Sequence, residues 1–224
     1  MTMSDPNEAS ASGLLHLLAW LSPGFPTGAF ACSHGLEWAI EAGDIADEPS
    51  LLIWLEDVLR HGAGRTDAIL LRHAHAAAGD PTRLGELAEL AAATAPSRER
   101  RSETIDLGTA FAAAAAPWSP PDLPPAPPYP IALGALASAH GIDPDGLAAA
   151  HLQAFAANLI SAAVRLVPLG QSAGLRVLAA LEPAIREVAA ATRAATLDDI
   201  GAAAFRSDLA AMRHETLYTR LFRT

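Results

Sequence analysis

Apolar positions along the chain recur at helical spacing, and no stretch alternates apolar and polar residues as a half-buried strand would. Leu14 to Leu21 (LLHLLAWL) predicts a short helix that is apolar nearly all round, with His16 as a packed core residue. Leu51, Leu52, Leu55, Val58 and Leu59 form one stripe, opened by Asp47-Glu48-Pro49 and closed by Gly62 and Gly64. An acid can cap that start and proline suits a first helical turn. A helix starting at Thr66 or Asp67 carries Ile69, Leu70 and His73 and closes near Gly79. Asp80-Pro81 repeats the start signal for a helix with Leu84, Leu87, Leu90 and Ala91 facing inward. Ser97 to Ala116 begins polar (Arg98, Glu99, Arg100, Arg101, Glu103) and turns apolar through Ile105, Leu107, Ala110 and Phe111. From Pro117 to Pro130 the chain reads PWSPPDLPPAPPYP, an extended connector that no helix can run through. It reads as a stiff loop tip or as a recognition ligand for a partner domain. Ile131 to His140 predicts a short helix stopped by Gly141, and Asp143-Pro144 opens a long one reaching Leu166, with Leu147, His151, Phe155 and Leu159 at spacing four. Gln171 to Leu181 and Ala184 to Ala194 form two pieces separated or kinked at Pro183, and Thr196 to Asp199 a short turn. The predicted fold is all-α, a single-domain bundle of about nine to ten helices with a Pro-rich connector.

One stretch breaks the periodicity. Leu21 to Glu37 (LSPGFPTGAFACSHGLE) holds Pro23, Gly24, Pro26, Gly28 and Gly35, yet keeps Phe25, Phe30 and Leu36. Proline fixes φ and extends the residue before it, so Ser22-Pro23 and Phe25-Pro26 stiffen the chain. The glycines can take positive φ or admit a second backbone. A rigid, partly apolar turn between two helices is predicted, the second capped near Ser33 and running through Leu36, Trp38, Ala39 and Ile40 to Gly43. Residues 1–13, rich in Ser, Asp, Asn and Glu, read as a disordered tail and not as a signal peptide. Residues 14–206 form the helical domain, and 207–224 a C-terminal docking segment.

Composition sharpens this picture. The 224 residues are 51% hydrophobic with only 5% aromatics, enough for a substantial core in one helical domain. Apolar runs are broken before the ~18 residues that a membrane span needs. The lone Cys32 excludes an internal disulfide, and with no secretion signal the expected location is cytoplasmic. A formal charge of −10 argues against a nucleic-acid partner. All 15 basic residues are arginine. The lack of lysine removes Schiff-base chemistry and Walker-type phosphate binding.

Eight histidines make metal binding worth testing. His73 and His75 point about 200° apart on a helix and cannot chelate together. Cys32 and His34 are better placed, because an irregular turn can aim both at one ion, and thiolate with imidazole suits nickel or zinc. Two ligands are half a site. Ser33, His34 and an acid could be assembled into a hydrolase, but no Gly-x-Ser-x-Gly elbow is present. The last residues supply a different signal. Leu209, Met212, Leu217, Leu221 and Phe222 are apolar, and Arg213, Arg220 and Arg223 surround His214-Glu215. Chain ends fray unless held, so this segment docks either on its own core or on a partner, with Tyr218 and Phe222 as aromatic anchors.

Three blocks carry a family resemblance. Ser22-Pro23-x-x-Pro26-x-Gly28-x-Phe30 with Ser33-x-Gly35-Leu36-Glu37-Trp38-Ala39, then Val167-Pro168-Leu169-Gly170-Gln171-Ser172, then Arg213-His214-Glu215-Thr216-x-Tyr218-x-Arg220-Leu221-Phe222-Arg223-Thr224, resemble the urease accessory protein UreF family in order and across nearly the whole chain. Cys32, His34 and Ala173 depart from the residues usual there. The resemblance implies a helical, dimeric, non-enzymatic maturation factor for urease, a nickel enzyme. Such factors bind the accessory protein UreD (also called UreH) and with it recruit the GTPase UreG, coupling GTP turnover to nickel transfer into the urease apoprotein. No intrinsic cofactor is implied; the complex handles the nickel. The resemblance puts the UreD contact at Arg213, His214, Glu215, Tyr218, Arg220, Leu221, Phe222 and Arg223. It puts a dimer or GTPase-facing turn at Pro26, Gly28, Phe30, Ser33, Gly35, Leu36 and Glu37. The rival readings are a small hydrolase or metal-dependent enzyme using Cys32 and His34, and a helical scaffold unrelated to urease.

Overall fold

Helix starts fall where the capping residues put them. Asp47 accepts from Ser50 N at 2.9 Å, Asp80 from Arg83 N at 3.0 Å, Ser97 from Arg100 N at 3.1 Å and Asp143 from Gly146 N at 2.8 Å. Each satisfies a backbone donor that the first helical turn leaves without a partner. The computed structural model describes residues 6–224, and every regular element among them is helical. In order these are α1 (Pro6–Trp20), α2 (Leu36–Glu41), α3 (Glu48–His61), α4 (Ala63–Ala76), α5 (Pro81–Ala93) and α6 (Arg98–Ala114). After the connector come α7 (Tyr129–Ala139), α8 (Pro144–Leu166), α9 (Gly170–Ala180), α10 (Glu182–Ala191) and α11 (Phe205–His214), with three short 3-10 turns between elements.

Several boundaries differ from the sequence-based expectation. The disordered tail expected over residues 1–13 is corrected from Pro6 onward: α1 starts there, because Pro suits a first turn and the Glu and Ala that follow favour helix. Residues 1–5 of that expectation lie outside the described residues. Helix α4 starts at Ala63, directly after α3, and not at Thr66 or Asp67. Helix α11 is additional to the predicted set; its N-cap is Ala204, which has no side-chain cap, so no start signal marks it. Helix α8 is also longer in its apolar run than expected. Its length and composition would allow a membrane crossing, although half of that window is buried inside the fold.

That burial makes α8 the central helix. Leu152, Ala156, Leu159, Ile160 and Ala163 of α8 pack against Leu51, Leu55 and Val58 of α3, Val177 of α9, and Ile185 and Val188 of α10. A second cluster joins Trp20 of α1 and Phe111 of α6 to Leu133 and Leu136 of α7, and a third joins Leu70 of α4 and Ile131 of α7 to Leu84 and Leu87 of α5. Each of the buried Leu, Ile, Val and Phe side chains contributes about 1.5–3 kcal/mol relative to exposure. His16 stacks on Trp20 with ring centroids 5.0 Å apart, as a packed residue. Leu14, Leu15 and Leu18 face out, so α1 is buried on one side only.

The Pro-rich connector is not a free loop tip throughout. Pro127 and Pro128 are buried, and the backbone there crosses α6 at Gly108, where a Cβ would overlap the Pro127 carbonyl. Pro125 and Ala126 remain exposed.

Candidate functional site

The Gly/Pro turn and the C-terminal segment, far apart in sequence, form one structure. Gly28 sits at φ 85° and Gly35 at φ 80°, the left-handed region that glycine enters without cost. Gly35 also meets α11 so closely that a Cβ would lie 2.6 Å from Ala211 N. Between them His34 holds φ 61°, an uncommon conformation for a non-glycine residue. This geometry brings Glu37, in the first turn of α2, under the last turn of α11.

There His214 is fully buried between two carboxylates: its Nε2 lies 3.2 Å from Glu37 Oε2 and its Nδ1 2.6 Å from Glu99 Oε2. Glu37 does more. Its Oε1 accepts from Leu221 N at 2.7 Å and its Oε2 from Phe222 N at 3.0 Å. Arg220 reaches Glu99 Oε1 at 2.5 Å. Glu215 accepts from Glu99 N at 3.2 Å. Beyond Glu37 the segment runs beside the turn itself. Arg223 N donates to Ala31 O at 2.8 Å, and Ser33 donates to the Thr224 backbone oxygen through both its N–H (2.6 Å) and its hydroxyl (2.7 Å). Each residue from Leu221 to Thr224 is therefore bonded to Ala31, Ser33 or Glu37 of the turn.

Phe222 closes the clasp. It is 4% exposed, and the Arg165 guanidinium lies over its ring at 4.4 Å and over that of Phe30 at 3.7 Å. Arg165 also donates to Phe30 O at 2.9 Å. An aromatic anchor was expected at Phe222, on the protein's own core or on a partner, and here the ring anchors the segment to this protein's own core. Tyr218 and Leu221 instead point outward, Tyr218 wholly exposed and Leu221 68% exposed. Arg213, Arg220 and Arg223 are exposed as well, whereas His214 is buried and Glu215 partly so. In the turn, Pro26, Gly28 and Phe30 face outward while Ser33, Gly35, Leu36 and Glu37 are buried, so only the first three can meet a partner directly. On α11, Phe205, Leu209 and Met212 are exposed at spacings four and three and share one helix face.

Behind the clasp lies a buried charge cluster. Glu103 of α6 pairs with Arg100, accepts from the Thr224 hydroxyl, and has His34 Nδ1 at 3.4 Å. Burial alone would push the Glu103 carboxyl up, but Arg100 and His34 outweigh it and hold it below the usual carboxylate range. Burial, then the Arg100 charge, push His34 down to about 4. Burial, then Glu103, push the Cys32 thiol up to about 11. A protonated thiol is neither a nucleophile nor a metal ligand. With Ser33 fully buried and its hydroxyl given to Thr224, the rival hydrolase arrangement has neither an activated nucleophile nor room for substrate. Among the described residues no three His, Cys, Asp or Glu side chains converge in a way that could hold a metal ion. His73 and His75 turn apart as expected, to Ala195 O and Ile142 O.

Glu99, Arg100, Glu103 and Arg165 were missed as site residues. The first three lie in the polar half of α6; Arg100 and Glu103 are an ordinary i,i+3 pair by spacing, while the partners that make them part of the site, His214 and Arg220 for Glu99 and Thr224 for Glu103, are more than one hundred positions away.

The residues from 45 to 182 match the family model UreF. Over 215 residues the chain is 57% identical to "Urease accessory protein UreF" of Cereibacter sphaeroides (strain KD131 / KCTC 12085), covering 96% of this chain and all of that protein. The chain belongs to the UreF family. Similar relatives of the same description occur in Methylobacterium sp. (strain 4-46), 52% identical over 94% of this chain and 88% of the relative, and in Bradyrhizobium sp. (strain BTAi1 / ATCC BAA-1182), 50% identical over the full length of both. The UreF family model stops short of the turn and the C-terminal segment, but the full-length relatives extend over both.

Proposed function

We propose that this UreF-family protein acts in urease maturation as a non-enzymatic cytoplasmic scaffold. In this reading it docks a UreD/UreH-type accessory protein, recruits the GTPase UreG as a homodimer, and couples GTP turnover to nickel delivery into the urease apoprotein. Nickel is the cargo of the complex and not a resident cofactor of this chain. One observation carries the reading: the clasp fixes the C-terminal segment on the fold while turning Tyr218, Leu221 and Arg223 outward. An ordered strip bearing an aromatic, an aliphatic and an arginine has the composition of an interface core.

The experiment pairs a surface change with a fold control. The double substitution Tyr218→Ala, Leu221→Asp touches no buried side chain, so its melting temperature should match the parent within about 2 °C. Capture of the co-expressed UreD-type protein should fall at least tenfold, and urease activation in cells should fall with it. Undiminished capture by a folded variant would place the contact elsewhere.

A further inference from the structure

A small cleft of about 50 Å³ lies between α4, α6, α11 and the turn before α2. Its inner wall is polar: Thr66 and Asp67 from α4, Arg100 from α6, His34 from the turn, and Ser207 and Asp208 from α11. The Arg100 side chain is more than nine-tenths buried, and its Nε has no hydrogen-bond partner among the described residues; nor does Thr66 Oγ1. Leaving such buried groups unpaired is costly, and water can satisfy them. A buried water needs roughly 10–15 Å³ and two to four polar partners, so the cleft has room for about three.

The charges around Asp67 are unbalanced. One guanidinium, Arg100, faces the carboxyls of Glu103, Asp208 and Asp67, while the neutral rings of His34 and Tyr129 add no positive charge. Glu103 is the partner that pairs directly with Arg100. We propose that this cleft is a hydrated proton-binding site, in which ordered waters bridge the Arg100 guanidinium and the Thr66 hydroxyl to Asp67, and Asp67 takes up one proton from solvent through them. The transfer is simple: a hydronium gives its proton to a carboxylate oxygen and leaves water behind. Burial first, and Glu103 against the opposing pull of Arg100, push the Asp67 carboxyl up to about 7. The site shares Arg100 and Glu103 with the clasp, because Glu103 also holds the Thr224 hydroxyl.

Two measurements on the full chain test this. With aspartate carboxyl carbons labelled by ¹³C, one resonance should titrate near pH 7 and be missing from Asp67→Asn. Should that variant fail to fold, the same resonance can be assigned in the unaltered protein through its bonded backbone nuclei. A crystal structure at about 1.5 Å should show water within hydrogen-bonding distance of Arg100 Nε and Thr66 Oγ1. An Asp67 midpoint near the ordinary carboxylate value of about 4 overturns the proposal. So does a cleft without ordered water at those two atoms, whatever the titration shows.

Discussion

Truncating Phe222 to alanine tests the claim that the C-terminal segment belongs to the core. The ring is 4% exposed and covered on one side by Arg165. Phe→Ala in a core costs about 3–5 kcal/mol. A site this near the surface can relax, which argues for the lower figure. Loss of the guanidinium–ring contact adds about 0.5–2 kcal/mol, and Arg165 keeps its bond to Phe30 O. The expected loss is therefore about 3.5–5 kcal/mol, or about 7–20 °C in melting temperature for a domain of this size. Urea unfolding at neutral pH measures it directly: the midpoint should drop with little change in slope. Tyr218→Ala is the internal control, since an exposed residue should stay within about 0.5 kcal/mol. A Phe222→Ala midpoint indistinguishable from that control would show that the ring is not packed and that the clasp described above does not hold in solution.

Three further outcomes follow from the same geometry. Glu37→Gln removes the charge that faces His214 and weakens the acceptors of Leu221 N and Phe222 N; hydrogen exchange at those two amides should speed up by tenfold or more, and unchanged exchange would refute the role of Glu37. His151 is pushed down to about 4 by burial, so the folded state resists protonation that the unfolded chain accepts from about 6.5 downward. Stability should thus fall as pH drops from about 6.5 toward 4, with about 2 kcal/mol lost to this residue by pH 5, and a His151→Leu variant should lose less over that interval. Calorimetry of the isolated chain with Ni²⁺ at neutral pH should show no stoichiometric site of micromolar affinity; one that disappears in Cys32→Ala or His34→Ala would contradict the protonated thiol assigned to Cys32.

What the sequence reveals about this fold is mostly local. Asp47, Asp80, Ser97 and Asp143 announce their helices because a cap bonds within three residues of itself. Gly28 and Gly35 betray a turn because few other residues tolerate its φ. The clasp is different. Glu99 meets His214, Glu37 meets Phe222, and Ser33 meets Thr224, pairs brought together only by the packing of α6, α2 and α11. Arg98 to Glu103 has the composition of a solvated helix face, yet Arg100 and Glu103 are buried, pairing with each other and, through Glu103, meeting His34 of the turn. Phe222 was legible as an anchor, but its binding partner was not: an aromatic beside arginines looks the same in sequence whether it fills an interface or a core.

The clasp bears on docking through entropy as well as shape. Ordering one backbone residue costs about 1–2 kcal/mol, and a segment that orders only on contact subtracts that cost from its affinity. Here Glu37 takes the amides of Leu221 and Phe222, Ala31 O takes that of Arg223, and Ser33 takes the Thr224 backbone oxygen. The ordering is complete before any partner arrives. A UreD-type protein that engages Tyr218 and Leu221 therefore meets a surface already fixed by residues it never touches. Loosening Glu37 or Ser33 should weaken capture while every exposed contact residue stays in place. If the proposed docking holds, Glu37 positions the surface from inside the clasp, and the exposed Tyr218 and Leu221 are what the partner touches.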